Sequence, residues 1–346
     1  MSAKRVSAFT VTTKEIYYGE RIPESIKVYK PKYFQEEVTF KIKHYTSVVN
    51  GIKRIIEDEM ENKCLDLEVD DIGQSETHDP YLDKHFVIKR INGIPLNQKV
   101  PESFVLTPGK IENNTAITRV VYAGELGDSR YFNPNIRLFN LNPNKSIFIK
   151  KIHVSKGYAL EDANKYAQVC RTRFTPVVKD YSISSTEAPS ELEYNFTFLT
   201  NGTIDPVQYL HTACDNMVDR CKIILNDVSE FKEYPYTSGA ASITKVGDTF
   251  HYTIENEYHT LGQLFTEVCL KIIPDIKFAS YKLIHITINT IVILIRHPDH
   301  INIFRDTIKN IIDIYSNLKK EFTSPKKFNT LDTSKKYYDT IMKSLK

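Results

Sequence analysis

The chain has 346 residues, with 46 basic and 43 acidic side chains and a formal net charge of +3 at pH 7. Its composition, 41% hydrophobic and 26% charged, is typical of a globular protein and unlike that of a disordered or membrane protein. So small a positive excess gives no general attraction to nucleic acid, and any such contact would need a local basic patch.

The sequence shows neither a targeting segment nor a metal motif. Residues 1–20 contain basic side chains but no apolar run of the kind that a secretory signal requires. The most apolar stretch, 283–295, is too short to span a bilayer, and we expect it to form one buried strand. The five cysteines form no CxxC motif, which disfavours a zinc ribbon, an iron–sulfur cluster and a disulfide framework. We therefore expect a reducing, intracellular compartment and no metal or other cofactor.

In the first part of the chain, a helix precedes a β-rich segment. Apolar residues recur at helical spacing over 47–60, which predicts the helix. Gly51 lies inside it, where glycine costs about 1 kcal/mol relative to alanine, so we expect another backbone to approach closely there. The region 65–155 is rich in Asn, Pro and Gly and contains short alternating runs, a pattern that predicts β structure with loops.

A strand and a long amphipathic helix come next. Strict alternation over 191–202 predicts the strand, and Asp205 followed by Pro206 is typical of a helix cap and a first-turn proline. From there to Phe231, apolar residues recur in steps of three and four, a narrow seam that is typical of a helix packed nearly parallel to another. The seam includes Leu210, Cys214, Met217, Cys221 and Ile224.

The C-terminal part repeats this plan. Residues 231–248 are typical of a domain boundary, and they precede a predicted strand at 249–257 and a predicted helix at 260–272 whose core side includes Leu261 and Phe265. A final helix carries a second seam of the same spacing, formed by Phe304, Ile308, Ile311, Tyr315, Leu318 and Phe322. Two such halves can pair their seams in one helical bundle.

The helix at 260–272 begins with the tetrapeptide His-Thr-Leu-Gly at 259–262. This start resembles the small assembly subunit of multisubunit RNA polymerases, which is the L-type subunit of archaea, the eleventh subunit of eukaryotic polymerase II, or one copy of the bacterial alpha amino-terminal domain. Tyr258 stands in place of that family's usual aspartate, and Gln263 stands in place of its usual asparagine. Downstream, 278–285 is similar to the family's Ala-x-Tyr-Lys-x-Pro-His segment.

The first part of the chain resembles the larger partner of that small subunit, which is the D-type subunit of archaea or the third subunit of polymerase II. Its first predicted helix is similar to the Asn-Ser-Leu-Arg-Arg helix of the family, with Asn50 and Arg54 at matching positions. A later stretch resembles the family's Glu-Phe-Ile-x-x-Arg-x-Gly-x-Ile-Pro-Leu pattern, with Arg90 at the arginine. A third resembles its Lys-Lys-Gly segment, with Gly157 at the glycine.

The resemblance extends over about residues 35–322 and implies a fusion of both partners, as known among nucleocytoplasmic large DNA viruses. The implied fold class is α+β, with two RNA polymerase alpha-like dimerisation domains in one chain. They are paired through a four-helix bundle with flanking antiparallel sheets, and a β-rich insert domain is added. The implied divisions are the larger-partner domain at 1–63 and 171–235, the insert domain at 64–170, a linker at 236–248, the smaller-partner domain at 249–322 and a basic C-terminal tail at 323–346.

The function that the resemblance implies is a non-catalytic assembly platform of a DNA-directed RNA polymerase. The platform would dock the largest and second-largest subunits and one or two small zinc-binding subunits, and it would meet DNA only indirectly and no membrane. Asn50, Arg54, Arg90 and Gly157 are the subunit-interface candidates, with solvated surface charge as the alternative for the two arginines. The compartment would be the host cytoplasm or the virion for a viral protein and the nucleus for a cellular one.

The histidine of His-Thr-Leu-Gly has a catalytic and a structural interpretation. As a base, His259 would need a partner and a pocket, and no sequence spacing supplies either. At a helix start it can satisfy free backbone N–H groups, so we expect His259, Thr260 and Gly262 to be structural. Two alternatives stay open at this point. One is a free-standing nucleic-acid-binding protein, and the other is a metal-dependent hydrolase that uses His259, His285, His297 and His300.

Overall fold

The computed structural model describes residues 5–17, 32–73, 76–177, 192–200, 202–229, 236–239, 241–285, 288–323, 335–336, 338–340 and 342–343. These residues form antiparallel sheets and helices around two separate apolar cores. No helix among them is both long enough and apolar enough to cross a membrane. The combination of helices with antiparallel sheets confirms the α+β class.

The first sheet has four antiparallel strands in the order β1-β2-β11-β10. These strands are β1 (Val6–Tyr17), β2 (Lys32–His44), β10 (Val169–Pro176) and β11 (Leu192–Thr200). The alternation predicted over 191–202 is present in β11, where Tyr194, Phe196 and Phe198 point into the first core. The sheet therefore offers one apolar face to helices.

Two helices of the first part of the chain share the core with that face, and the first of them contacts the sheet directly. The helix α1 (Thr46–Arg54) continues into a π-helical turn (Ile55–Glu59), and α4 spans Pro206–Ser229. The predicted cap at Asp205 is present, because its carboxylate accepts hydrogen bonds from the N–H groups of Val207 and Gln208 at 3.0 and 3.4 Å. Phe231, expected at the end of this seam, lies outside the described residues.

The second sheet has five strands in the order β12-β13-β14-β16-β15. They are β12 (Tyr236–Ser238), β13 (Ala241–Val246), β14 (Thr249–Glu255), β15 (Phe278–His285) and β16 (Ile288–Arg296). Two predictions are wrong here. The expected linker 236–248 contributes two strands, because β14 offers β13 a full ladder of partners. The apolar stretch 283–295 is not one strand but parts of the hairpin β15–β16, in which Leu283 pairs with Ile291.

Two helices complete the second part, α5 (His259–Ile272) and α6 (His300–Glu321). The helix α4 lies against α6, and α5 contacts both α1 and α6. The first core joins both parts of the chain and buries the predicted seam residues. These residues are Leu210, Met217, Ile224, Leu261, Phe265, Phe304, Ile308, Ile311, Tyr315 and Leu318. Phe322, at the end of the second seam, is 0% exposed.

The middle of the chain forms the second core. Its elements are β3 (Glu61–Asp66), β4 (Ile72–Gly73), α2 (Lys84–Asn92), β5 (Gly109–Glu112), β6 (Arg119–Tyr122), β7 (Arg137–Leu141), β8 (Ser146–Ile149), β9 (His153–Tyr158) and α3 (Ala163–Tyr166). The helix α2 lies where only strands and loops were expected. Asp83 caps it by accepting from the His85 N–H at 3.1 Å, and Val87 and Ile91 are buried one turn apart. We call this part the insert.

The last described residues lie on the insert. The ring of Tyr338 covers Gly124 so closely that a Cβ added to this glycine would collide with it. Burial raises the pKa of Tyr338 to about 12, assisted by the nearby Glu125. Within its described residues, the predicted C-terminal tail therefore contacts the same chain.

Candidate functional site

The clearest polar constellation lies where the two parts of the first core meet. We call residues 36–60 and 169–229 the first half and residues 241–322 the second half. Arg220 of α4 donates from Nη1 to Glu59 at 2.8 Å and from Nε to Glu257 at 2.9 Å, and its Nη2 also bonds Glu257. Glu59 belongs to the first half and Glu257 to the second, so one guanidinium ties the halves together.

This triad is almost removed from solvent. The side chains of Arg220, Glu59 and Glu257 are 18%, 8% and 5% exposed. Burial opposes the charged guanidinium, but the attraction of Glu257 and Glu59 outweighs it, so the pKa of Arg220 is raised above its usual value. Fork-like pairing of a guanidinium with carboxylates is the geometry in which a buried charge is best compensated.

The tetrapeptide at the start of α5 joins the same network. Thr260 is buried, and its hydroxyl donates to Glu59 across the junction of the halves. Further along α5, the carboxylate of Glu267 accepts the Ser47 N–H at 2.9 Å. Because α1 has no side-chain cap of its own, Glu267 supplies both the acceptor and the negative charge that a helix start favours.

Apolar and surface contacts continue the junction along α6. Tyr315 is 0% exposed, and its hydroxyl lies so close to Gly51 that a Cβ added to this glycine would collide with it. The close approach predicted at Gly51 is thus made by this tyrosine rather than by another backbone. Lys319 pairs with Asp215 at 2.6 Å on the half-exposed rim.

His259 does not cap α5, contrary to the expectation for a helix-start residue. It is exposed, and the N-cap residue Tyr258 makes no side-chain capping bond either. Its Nδ1 lies 3.2 Å from the hydroxyl of Tyr281, whose ring also covers Gly262, because a Cβ at this glycine would overlap the ring. The glycine therefore lets the first turn of α5 pass beneath Tyr281.

The other histidines of the hydrolase alternative are not gathered into a metal site. His300 is buried, with Nδ1 2.7 Å from the Tyr252 hydroxyl, and burial lowers its pKa to about 4. His297 accepts the Asp299 N–H at 3.0 Å within the turn before α6. Among the described residues, no three His, Cys, Asp or Glu side chains are placed to share a metal ion.

The four subunit-interface candidates have different surroundings. Asn50 is partly exposed and Arg54 is exposed, both on α1. Arg90 is also exposed, but its guanidinium donates to the carbonyls of Leu138 at 3.1 Å and Arg137 at 2.5 Å. The interface prediction for Gly157 does not fit the structure, because this glycine is buried beneath the ring of Tyr166 and offers no surface.

Sequence reasoning missed Arg220, Glu59 and Glu257. The available signal was the position of Arg220 next to Cys221 in the α4 seam, where flanking charges make pairs between helices. Neither glutamate has a comparable signal, because Glu59 ends the π-helical turn, Glu257 lies in the connection before α5, and each becomes buried only when the halves meet.

Comparison with known proteins agrees with this architecture. The family model of the RNA polymerase Rpb3/Rpb11 dimerisation domain matches residues 249–321, which form most of the second half. The chain is also 25% identical over 303 residues to the DNA-directed RNA polymerase RPB3-11 homologs of a Kenyan pig isolate and a Malawian tick isolate of African swine fever virus. Each match spans 79% of this chain and 84% of the relative.

The class of protein is therefore an RNA polymerase subunit that contains an Rpb3/Rpb11 dimerisation domain. More particularly, the chain is a fused subunit of the RPB3-11 kind, as found in a large DNA virus. This confirms the resemblance seen in the sequence and a non-catalytic assembly role, and it favours neither the hydrolase nor the free-standing nucleic-acid-binding protein.

Proposed function

We propose that the chain pairs two alpha-like dimerisation domains through a bundle of α1, α4, α5 and α6 and so forms the platform on which a DNA-directed RNA polymerase assembles. The larger-partner domain corresponds to 1–63 and 171–235, and the smaller-partner domain corresponds to 249–322. The observation that carries the proposal is the single core that both halves share, crossed by the Arg220 triad. No active site of its own is required, because catalysis belongs to other subunits.

The docking face that we propose is the outer side of α1 and α5. Thr46, Asn50 and Arg54 follow one another at helical spacing on α1 and are at least partly exposed. On α5, Leu270 is 48% exposed beside an open cleft of about 370 Å³ that is lined by α5 together with Thr46 and Tyr281. An apolar residue set among polar ones is the composition expected of a protein interface.

On this face the second-largest and largest subunits would bind, with one or two small zinc-binding subunits alongside. DNA would be met only through the complex. The assembled enzyme would work in the host cytoplasm or the virion for a viral source and in the nucleus for a cellular one.

Fusion has a direct physical consequence for assembly. Linking two modules gives the second module an effective concentration of order mM when the connection is short and flexible. Most of the described connection between the halves belongs to the strands β12 and β13 of the second sheet, and this further restricts the relative movement of the halves. Pairing therefore precedes docking and removes one bimolecular step.

The test is purification of the tagged chain from its native source, followed by identification of the copurifying polypeptides. We expect subunits much larger than this 40.0 kDa chain. Arg54→Glu should reduce their recovery without lowering the melting temperature, because the side chain is exposed.

The matched control is Lys222→Glu on the exposed side of α4, which should leave recovery unchanged. Absence of large polypeptides from the wild-type preparation would overturn the platform role. Equal losses in the two variants would instead move the docking face away from α1.

A further inference from the structure

We propose that the groove between α2 and β7 of the insert binds an acidic polypeptide segment of another polymerase subunit, anchored by an apolar side chain. The groove is about 420 Å³ in volume. Its lining includes Tyr81, Phe86, Arg90, Arg137 and Asn140. The identity of the partner as a polymerase subunit rests on the proposed function, whereas the chemistry of the groove does not.

Two aromatic side chains stand exposed at this groove. Tyr81 is 88% exposed and Phe86 is 47% exposed, although aromatic rings of this kind are usually buried or partnered. Together they form an apolar surface beside polar neighbours, the arrangement that marks a binding anchor. An occupant of the groove therefore needs an apolar side chain.

The turn that carries Tyr81 is held in place from below. Asp79 is 1% exposed, and its carboxylate accepts the Tyr81 N–H at 3.1 Å and the Asn142 N–H at 3.0 Å. Because the buried carboxylate fixes this backbone, the exposed ring is presented at little further ordering cost on binding. Tyr81 is thus exposed on a turn whose backbone is fixed.

The opposite wall is positively charged and closed to strand addition. Arg90 occupies the carbonyls of Arg137 and Leu138 at the edge of β7, so an incoming chain cannot pair with that edge there. The Arg137 side chain is exposed, and its guanidinium bonds only the Asn140 side chain among the described residues. Recognition must therefore use side chains, and a carboxylate is the group that two guanidinium ions favour.

The charge balance favours a peptide over nucleic acid. The lining carries two cations, Arg90 and Arg137, and one anion, Asp83, whose carboxylate also caps α2, so the groove keeps only a small net positive charge. A single strand of nucleic acid is held by a basic groove that follows many phosphates. Two guanidinium ions, one of them already bound to carbonyl oxygens, suffice for one or two carboxylates.

The test measures fluorescence anisotropy of labelled peptides with the full chain at low salt. The probe is a peptide of about a dozen residues in which Asp and Glu flank a Leu-Phe pair. Its controls are a Lys-for-acid peptide, a Ser-for-Leu-Phe peptide and an oligothymidylate of equal length. We expect the probe to bind at least about tenfold more tightly than any control, since burying one aromatic anchor at a hot spot changes affinity by at least that factor.

Variants assign the binding to the groove. Phe86→Ser and Arg137→Glu should each weaken the probe by about tenfold or more. Val246→Ser and Arg130→Glu are the matched controls, because Val246 is 60% exposed and the Arg130 side chain is 68% exposed, both outside the groove. The controls should change affinity less than about twofold, as expected for residues outside an interface.

Three results would overturn the proposal, namely no binding of the probe, equal binding of the Lys or Ser peptide, and tighter binding of oligothymidylate that depends on Phe86 and Arg137. The last would make the groove a nucleic-acid site. Failure of the polymerase subunits to copurify would sink the proposed function while leaving the peptide result intact. Normal copurification without peptide selectivity would sink only the groove.

Discussion

Replacing Arg220 by methionine tests the junction most directly. Methionine keeps much of the apolar stem but leaves the carboxylates of Glu59 and Glu257, 8% and 5% exposed, without their cation. Removing one partner of a buried ion pair costs about 3–5 kcal/mol, a large share of the roughly 5–15 kcal/mol that stabilises a typical domain. At about 2–4 °C per kcal/mol, the lower bound corresponds to a fall of roughly 6 °C in melting temperature.

Urea and thermal denaturation of purified chains measure this loss. The control is Lys319→Met, which breaks a pair with Asp215 whose side chains are 39% and 46% exposed, and it should cost at most about 1 kcal/mol. The triple variant Arg220→Met, Glu59→Gln, Glu257→Gln should recover much of the loss, because no charge is then left unpaired. If Arg220→Met cost no more than Lys319→Met, or if the triple variant stayed as unstable as the single one, the reasoning about burial would be refuted.

Three further predictions concern single positions of the first core. Gly51→Ala should destabilise the chain, because overpacking against Tyr315 costs about 1–3 kcal/mol, whereas the higher helix propensity of alanine contributes only about 1 kcal/mol. When Tyr315→Phe is already present, the same change should stabilise the chain. Urea denaturation measures both differences. Ile311→Asp should cost several kcal/mol through an unpaired buried carboxylate, whereas Asn310→Asp on the exposed side should cost little; equal melting temperatures would contradict the seam. The pKa of His300 is about 4 in the folded chain and near 6.5 in the unfolded chain, so unfolding takes up a proton and the free energy of unfolding should fall as pH drops from about 7 to 5. In urea titrations at both pH values, His300→Gln should lose less stability than the wild type over this interval. Equal losses would exclude this histidine as the cause of the pH dependence.

Much of the fold could be predicted because a helix or strand with one buried face has a periodic pattern of apolar residues in its own sequence. The seams of α4 and α6 repeat every three and four residues, and the alternation of β11 is equally regular, so each element records its buried face in its own sequence. The strands β12 and β13 have no such pattern. Their Ser and Thr content is typical of a linker, and they become strands only because β14 offers an edge to β13, which in turn offers an edge to β12.

The candidate site shows the same limit of prediction from local sequence, here for the roles of individual side chains. In the tetrapeptide at 259–262, the histidine is the most reactive group and attracts a functional interpretation first. In the structure it lies on the surface beside Tyr281, while Thr260 makes the bond across the junction. A hydroxyl has one polar atom to satisfy on burial and an imidazole ring has two, so the less reactive residue enters the buried network at lower desolvation cost. Only the positions of Glu59 and Arg220 reveal this, and both come from distant segments.

The Arg220 triad is asymmetric between the halves, which bears on why they pair with each other. Arg220 lies 14 residues after the start of α4, and the same offset in α6 gives Ile314. Glu257 lies two residues before α5, and the same offset before α1 gives His44, whose pKa burial lowers to about 3, so that it is uncharged at neutral pH. Pairing of two first halves would thus place Arg220 against a neutral histidine.

Discrimination of this kind is negative selection against the wrong partner, and we infer that it disfavours pairing of two like halves from different chains. The triple variant without these charges should therefore form more dimers in size-exclusion chromatography at high concentration than the wild type, even though its stability is largely restored. A triple variant that stayed as monomeric as the wild type would show that shape alone selects the pairing, since the apolar seams of α4 and α6 would then be sufficient to distinguish the halves.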